Sequence, residues 1–356
     1  MYMPTFAELA EKLDSEDMLG WLRCFPDDVR RGESRTRDYL AEATWLERGW
    51  SGIVCLGMGG SGSGGDHLAQ LAIEEGSLPV VSLHDMMVPK WIDDNWLIIA
   101  TSHSGMTQEI IDAAQQVIER DLPIIAITSG GALQAMLDEV EKHLIIPIEG
   151  GRPPRTCFGE ILAAMVTIGR HTGILGDDSS TTEVRHAWLS QEMVDHDIVN
   201  NGRNDVASLA RTIAGAPIAT LASTSLAPSA YRFRCQVNEN AGTFVRNAVL
   251  PEAHHNEIVA WGEGNEDIPQ QAVLFFEQLG QSEVMQRRID WTIERGIQSP
   301  CMWRLLLEGE TLYDRYLHGA IISDWLSFAI ALLRGKDPSA IDPILELKAY
   351  LSSDVP

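Results

Sequence analysis

The feature that most constrains the fold of this chain is a regular alternation of short apolar runs with helical patterns. In the first half the apolar runs are GIVCLGM, PVVSLHD, NWLIIATS, PIIAITS and HLIIPIEG. Segments whose apolar residues recur at helical spacing separate most of them, as in TQEIIDAAQQVIERD. Apolar, β-branched strands separated by helices indicate βαβ units, in which helices cover both faces of a parallel sheet.

The same rhythm restarts in the second half, where PIATLAS, QAVLFFEQL and PCMWRLLLEG are the predicted strands. A length of 356 residues is too great for one typical domain. We therefore predict an N-terminal helical lead-in, two α/β domains and a C-terminal helix. Their expected bounds are 1–48, 49–185, 186–337 and 338–356.

Composition narrows the classes of function. The net charge is −24, which opposes binding to nucleic acid or to an anionic membrane surface, because phosphate contacts need basic patches. No apolar run approaches the roughly 20 residues of a membrane span. The five cysteines are scattered and form no C-x-x-C pair, which disfavours a zinc site or a disulfide framework. These features predict a cytoplasmic protein without nucleic-acid or membrane partners.

The stretch LGMGGSGSGGD, residues 56–66, follows the first predicted strand and indicates a backbone that approaches an anion. Gly57, Gly59 and Gly62 fit the dinucleotide fingerprint G-x-G-x-x-G, and Asp85 ends the second strand where that fingerprint needs an acid. A loop for a sugar phosphate fits the same glycines. The stretch alone does not distinguish a dinucleotide from a sugar phosphate as the ligand.

A second hydroxyl-rich sequence, SHSGMTQE at 102–109, follows the third predicted strand. Hydroxyls and free N–H groups before a helix favour an anion, although Ser104 or Thr107 with Glu109 also fits an ordinary helix cap. In a doubly wound sheet the first and third strands can flank the crevice where ligands bind. Two such loops at one crevice suit a phosphomonoester better than a dinucleotide.

Together these motifs resemble a known family. GMGGSGSGGD and TSHSGMTQE are similar to the phosphate loops of a sugar isomerase (SIS) domain. RPPRTCFG, VNENAG, LPEAHHNEIVAW and ILELKAYL then follow in the order seen in bifunctional phosphoglucose/phosphomannose isomerases. Two departures are Gly242, where the family often has a lysine, and His254, where asparagine is commoner. The resemblance covers residues from about 50 to the C-terminus.

The resemblance implies an α/β protein with two SIS-type domains, each a flavodoxin-like, doubly wound parallel sheet. It also implies a homodimer that interconverts fructose 6-phosphate with glucose 6-phosphate and mannose 6-phosphate, without a metal or an organic cofactor. The residues it assigns to the substrate phosphate are Gly59, Gly60, Ser61, Ser102, Ser104 and Thr107. Neutral donors and helix N-termini hold a dianion without a cation.

Four further residues carry the expected chemistry. The resemblance assigns to Glu239 the transfer of a proton between C2 and C1 and to Arg155 the stabilisation of the enediolate. It assigns ring opening to His255, which reaches across the dimer interface, and to Lys348, which folds back to the site on the last helix. A surface carboxylate, an ion pair at a helix entry and a solvated lysine are the structural alternatives for Glu239, Arg155 and Lys348.

Adjacent His254 is expected to be structural, and a metal site made of the two histidines with Glu257 is disfavoured because neighbouring residues on a helix point apart. Two rival functions remain. A sugar-phosphate sensor built on SIS domains needs no Glu239, His255 or Lys348. An NAD(P)-dependent oxidoreductase would use the glycine stretch and Asp85.

Overall fold

In a computed structural model, the residues described are 4–138, 140–178, 180–262, 271–295 and 301–352. The last four residues of the predicted C-terminal segment, 353–356, lie outside them. The described chain is an α/β protein with two parallel sheets. The fold class predicted from the apolar alternation is therefore confirmed.

Three helices precede the first strand: α1 (Phe6–Leu13), α2 (Met18–Arg23) and α3 (Phe25–Glu42). Helix α1 begins with a capping box, in which Thr5 and Glu8 satisfy each other's backbone N–H groups. Helix α3 packs closely along a later helix, because Gly32 has no side chain there. A Cβ at Gly32 would lie 2.5 Å from the carbonyl oxygen of Glu160.

The first sheet contains five parallel strands in the order β2-β1-β3-β4-β5. The strands are β1 (Gly52–Gly57), β2 (Val80–Leu83), β3 (Trp96–Ser102), β4 (Ile124–Thr128) and β5 (His143–Pro147). This is the flavodoxin-like order, in which the chain reverses its direction of growth at β1 and β3. Strands β1 and β4 are buried along their whole length, as strands with helices on both faces must be.

The helices that cover this sheet are α4 (Gly59–Glu75), α5 (Gln108–Glu119), α6 (Gly131–Leu137) and α7 (Phe158–His171). The glycine-rich composition of residues 56–66 favours a turn, but helix α4 begins inside this stretch. Five of the first seven residues of α4 are glycine. They remain helical because the helix packs tightly on the sheet: a Cβ at Gly65 would lie 2.7 Å from the Cβ of Cys55.

The second half repeats the pattern after α8 (Thr182–His196) and α9 (Asp205–Ile213). Its four parallel strands have the order β7-β6-β8-β9. The strands are β6 (Ile218–Ser223), β7 (Val245–Leu250), β8 (Ala272–Gln278) and β9 (Cys301–Leu307). The helices are α10 (Ala227–Ala241), α11 (Glu257–Gly262), α12 (Glu283–Arg295) and α13 (Leu312–Leu333).

One contiguous apolar core joins the two halves. It includes Ile53 from the first sheet, Leu162 from α7, Phe276 from the second sheet and Trp325 from α13. Within the described residues, only Leu312–Leu333 is long and apolar enough to cross a membrane, and 94% of its most apolar window is buried inside the protein. Helix α13 is thus a central core helix.

The last helix, α14 (Asp342–Ser352), differs from the others because its side chains are exposed from Asp342 to Leu351. The exposed side chains include large apolar ones: Ile344, Leu345, Leu347, Tyr350 and Leu351. We expected this helix to pack back on the site. In the single chain its apolar side chains are exposed, so packing of this helix on the site stays a prediction, and the preceding loop contacts Arg155 through the carbonyl of Pro338.

Candidate active site

The turn between β1 and α4 is built to bring backbone close to a ligand. Gly59 has a φ of +54°, and Met58, the residue that precedes the first turn of α4, makes no side-chain cap. The N–H groups of that first turn are therefore not used by a cap, and they lie at the positive end of the helix dipole. Ser61 lies within this turn and is only 7% exposed.

The second predicted loop lies beside the first. The backbone N–H of His103 donates to Ser61 Oγ at 3.3 Å, which links the two loops directly. Ser102 Oγ donates to Thr107 Oγ1 at 2.9 Å, and Ser104 Oγ accepts the N–H of Met106 at 3.2 Å. Adjacent placement of the two loops follows from strand order, because β1 and β3 are neighbours.

The hydrogen bonds of this loop differ from those of an ordinary helix cap, which was the structural alternative. Thr107 occupies the N-cap position of α5, but its side chain makes no cap hydrogen bond to the helix. The hydroxyl contacts Ser102 instead. The first turn of α5 therefore leaves its N–H groups without a side-chain cap, as the first turn of α4 does.

Arg155 lies against the glycine turn. A Cβ at Gly60 would lie 3.3 Å from the Arg155 Cα. Arg155 belongs to a short 3-10 turn, Pro154–Cys157, that leads into α7, and its side chain is 4% exposed. Its position explains why residue 60 is a glycine, since a larger residue would press on the backbone of this turn.

The guanidinium of Arg155 reaches the second half of the chain. Its Nη1 donates to Glu239 Oε1 at 2.6 Å and its Nε to Asn240 Oδ1 at 2.6 Å. Its Nη2 donates to the carbonyl of Pro338 at 2.8 Å. The side chain of Glu239 keeps 29% of its surface exposed. A fixed cation thus holds a carboxylate that remains accessible to solvent.

Buried polar residues on α10 and α13 support the Arg155–Glu239 ion pair. Asn240 Nδ2 donates to Ser327 Oγ at 3.0 Å on α13. Arg232 donates to Asp324 Oδ1 at 2.8 Å and lies with its guanidinium carbon 4.2 Å from the centre of the Phe158 ring. Burial raises the pKa of the Asp324 carboxyl, and Arg232 opposes that shift. These contacts lock α10, and with it Glu239, against α13.

No sequence motif predicted the four residues that support the site: Asn240, Ser327, Arg232 and Asp324. The only available signal was the position of Asn240 next to Glu239 in VNENAG. Asp324 lies in an apolar helix, where a buried acid requires a partner. That partner, Arg232, lies 92 residues away in sequence.

His255 lies apart from these groups within one chain. Helix α10 ends at Ala241, just before β7, whereas His255 ends a 3-10 turn, Glu252–His255, just after β7. The six residues of β7 therefore separate the two positions, a span of about 20 Å. Glu239 and His255 thus lie near opposite ends of strand β7.

The two histidines have different surroundings. His255 is exposed. The ring of His254 contacts α12, with its Nε2 2.8 Å from Thr292 Oγ1 and its Nδ1 3.4 Å from Arg288. The contacts of His254 are those of a packed structural residue. Lys348 lies on the exposed helix α14.

Comparisons with known proteins agree with this geometry. Residues 203–351 match the model of the bacterial phospho-glucose isomerase C-terminal SIS domain. A bifunctional phosphoglucose/phosphomannose isomerase from Aquifex aeolicus (strain VF5) is 27% identical over 85% of this chain and 91% of the relative. A D-glucosamine-6-phosphate 4-epimerase from Sulfolobus acidocaldarius is 31% identical over 61% of this chain and 67% of the relative. The chain belongs to the bifunctional phosphoglucose/phosphomannose isomerase family.

The fold of this isomerase family member also matches solved structures. The C-terminal domain of glucosamine-fructose-6-phosphate aminotransferase from Francisella tularensis superimposes with a TM-score of 0.74. The match covers 92% of this chain and 98% of that domain at 12% identity, which supports the fold alone. The family resemblance predicted from the motifs is confirmed by the sequence relatives given above.

Proposed function

We propose that the protein is an aldose–ketose isomerase that interconverts fructose 6-phosphate with glucose 6-phosphate and mannose 6-phosphate. The observation that carries the proposal is the Arg155–Glu239 pair, 2.6 Å apart, beside the uncapped glycine turn that contains Ser61. A phosphate anchor, a fixed cation and an accessible carboxylate are what this chemistry requires. The relatives named above support the same class of reaction.

The two loops would hold the 6-phosphate. The backbone N–H groups of Gly59, Gly60 and Ser61, at the start of α4, donate to the phosphate oxygens. The hydroxyls of Ser102, Ser104 and Thr107 complete the shell from the neighbouring loop. Binding by neutral donors and two helix dipoles holds the dianion without a lysine or a metal ion.

Glu239 would carry the proton in the isomerisation. In the open-chain aldose its carboxylate takes the proton from C2, and the electron pair moves onto the C1 carbonyl oxygen to give an enediolate. Arg155 stabilises this negative charge. The carboxyl then returns the proton to C1, the hydroxyl proton moves from O2 to O1, and O2 becomes the carbonyl of fructose 6-phosphate. No external oxidant or reductant is needed.

Mannose 6-phosphate differs from glucose 6-phosphate only in the configuration at C2. If the enediolate rotates about its C2–C3 bond, Glu239 can deliver the proton to the other face of C2. The same base then serves both aldoses. The proposal therefore includes both activities and no cofactor.

The proposed active unit is a homodimer. Glu239 and His255 lie near opposite ends of strand β7, which supports the proposal that a second copy places its His255 in the site. The apolar side chains exposed on α14 give such a copy a surface to cover. Lys348, on the same helix, would then assist ring opening.

We also propose that the protein is cytoplasmic and that its domains divide after residues 48, 185 and 337.

A coupled assay on glucose 6-phosphate and on mannose 6-phosphate tests the proposed base. We expect Glu239→Gln to lower kcat by about 10²- to 10⁴-fold, the range of general base catalysis. Glu42→Gln, which changes an exposed acid at the end of α3, is the control and should keep the wild-type rates. Equal rates in Glu239→Gln and wild type would remove Glu239 from the mechanism.

Mixing two inactive variants tests the dimer. Glu239→Gln and His255→Ala, each inactive alone, are unfolded together, refolded and assayed. If His255 acts across the interface, half of the dimers are mixed and one of their two sites is intact, so about a quarter of the wild-type activity should return. No recovery, with mixed dimers present, would show that each chain supplies its own histidine.

The Sulfolobus relative supports a second candidate substrate class. It is 31% identical to this chain over 223 residues and is a D-glucosamine-6-phosphate 4-epimerase. An amino sugar phosphate would occupy the same phosphate loops. Incubation with glucosamine 6-phosphate, followed by separation of the product sugars, distinguishes the two: a 4-epimer at a higher kcat/KM than for the hexose phosphates would favour the epimerase.

A further inference from the structure

His84 lies beside the glycine turn and has no part in the chemistry proposed above. It follows strand β2, and the pairing of Leu56 with Leu83 places it next to Gly57, the last residue of β1. Its Nδ1 lies 2.9 Å from the carbonyl oxygen of Gly57. Its Nε2 lies 2.8 Å from Oδ1 of Asp66 on α4.

Both of these partners are acceptors. A backbone carbonyl and an ionised carboxylate have no hydrogen to donate, so each ring nitrogen must carry one for both contacts to be hydrogen bonds. A neutral imidazole has only one N–H group. With Asp66 ionised, both contacts are hydrogen bonds only in the imidazolium form of His84. In that form the ring is a cation beside the glycine turn.

The two contacts join the ends of the turn. Gly57 ends β1 and Asp66 lies in the second turn of α4, so the ring spans Gly59, Gly60 and Ser61, the residues of this turn that would contact the phosphate. It also fills the space next to Gly62, where a Cβ would lie 2.7 Å from the ring Nδ1 and 2.5 Å from the Gly57 carbonyl oxygen. Any opening of the turn would break both hydrogen bonds.

We propose that His84 is a positioning residue, whose doubly protonated ring closes the glycine turn around the substrate phosphate and makes phosphate affinity depend on pH. The inference rests on the proposed phosphate site. It adds a cation to a site that otherwise relies on neutral donors. It also gives a function to Asp66, the last residue of the glycine stretch.

Few other groups act on the ring among the described residues. Asp66 is the charged group that faces it from α4, and β1 presents the carbonyl of Gly57. Asp85, the next residue in the chain, accepts the N–H of Met87. The hydrogen bond to Asp66 raises the pKa of His84. The imidazolium is therefore present below this raised pKa, and phosphate affinity should fall as the pH rises through it.

Calorimetric titration with 5-phosphoarabinonate, a mimic of the enediolate, from about pH 6 to 9 tests the inference. We expect the wild-type Kd to rise by about tenfold across this range, near the lower end of what a hydrogen bond to a charged group contributes. His84→Gln should bind weakly at every pH, without that step. Asp66→Asn should move the step to lower pH, because the ring loses the partner that raises its pKa.

The control is His186→Gln, which changes another histidine–aspartate pair, in which Nε2 lies 3.0 Å from Asp27 Oδ1 far from the turn. It should keep the wild-type Kd at every pH. The ligand phosphate loses its second proton near the lower end of this pH range. That ionisation affects the Kd of all four proteins equally, so a comparison of their Kd values removes its contribution. In isomerase assays His84→Gln should raise KM and change kcat by less than about threefold, as a residue that acts through the phosphate loop would.

Nuclear magnetic resonance of the ¹⁵N-labelled imidazoles provides a direct readout that needs no activity. Two protonated nitrogens on His84 at neutral pH, titrating together with the step in Kd, would support the inference. A neutral His84 ring at neutral pH, or a His84→Gln variant with the wild-type Kd and pH profile, would overturn it. Failure of all isomerase assays with these binding results intact would reject the proposed activity and leave the role of His84 standing.

Discussion

Arg155 shows how a single residue can combine a structural and a chemical role. As a sequence feature it was a candidate for stabilising the enediolate, with a helix-entry ion pair as the alternative. In the structure it makes an ion pair, but with Glu239, the predicted base, and it also bonds Asn240 and the Pro338 carbonyl. The arginine therefore joins the two halves of the chain at the site itself.

His67 lies behind the same region and supports a prediction about acid stability. It is fully buried, with its ring edge-on to Phe158 and Tyr316 and its Nδ1 2.7 Å from the Ser63 carbonyl oxygen. Burial lowers the pKa of His67 from 6.5 to about 4. The folded state thus holds this ring neutral over a range in which the unfolded chain protonates it.

The stabilising effect of a neutral His67 is therefore fully present above the unfolded pKa of 6.5 and is lost as the pH falls towards 4. The expected loss is about 3 kcal/mol, since one pKa unit corresponds to about 1.4 kcal/mol. We predict that His67→Gln is less stable than wild type at pH 7 but loses less of its unfolding free energy between pH 7 and 4. Urea unfolding at both pH values measures the difference.

The exposed His171 offers the control for this prediction. His171→Gln should lose as much stability on acidification as wild type does. If His67→Gln also loses the wild-type amount, the acid sensitivity of the protein arises elsewhere, for example in the buried Asp28–Arg152 ion pair.

At the scale of elements, the loop between β3 and α5 depends on Gly105. Its φ is +63°, and a Cβ there would overlap the carbonyl oxygen of Gly130 in the next loop. We predict that Gly105→Ala lowers the free energy of unfolding by more than about 2 kcal/mol, because positive φ strain and a backbone overlap add. It should also weaken 5-phosphoarabinonate binding, because the overlap displaces the Ser102–Thr107 loop.

Thermal or urea unfolding of Gly105→Ala beside Gly215→Ala tests this prediction. No heavy atom lies within 4 Å of a Cβ at Gly215, and its φ is not positive, so that variant should change the unfolding free energy by only about 0.5 kcal/mol. If Gly105→Ala has the wild-type free energy of unfolding, the prediction is wrong, because the two loops then move apart without a loss of stability.

The glycine stretch shows why local patterns mislead at element boundaries. Its composition favours a turn, since glycine weakens a helix by about 1 kcal/mol per residue. Helix α4 nevertheless begins at Gly59, because Gly62, Gly64 and Gly65 let it approach other elements more closely than a side chain would allow. The tertiary contact outweighs the helix propensity, and the sequence alone shows only the propensity.

At the scale of the whole molecule, one apolar core cluster contacts both sheets and includes residues from α1 to α13. We predict a single cooperative unfolding transition, in which the calorimetric and van't Hoff enthalpies agree. The ion pairs of Arg155 and Arg232, which connect separate parts of the fold, support the same behaviour. Two calorimetric transitions with different midpoints would show that the halves unfold independently.

By itself, the sequence determined the α/β class, nearly all the strands and helices and the family, and it predicted the two loops proposed to bind phosphate, because apolar periodicity and contiguous motifs report on burial and chemistry over short stretches. Only the tertiary structure decided that Arg155 reaches Glu239, 84 residues away, and that His255 lies near the end of β7 opposite to Glu239. Those placements depend on the direction in which α10 runs between β6 and β7 and on which elements pack together. Such contacts join residues far apart in sequence, and no local pattern encodes them.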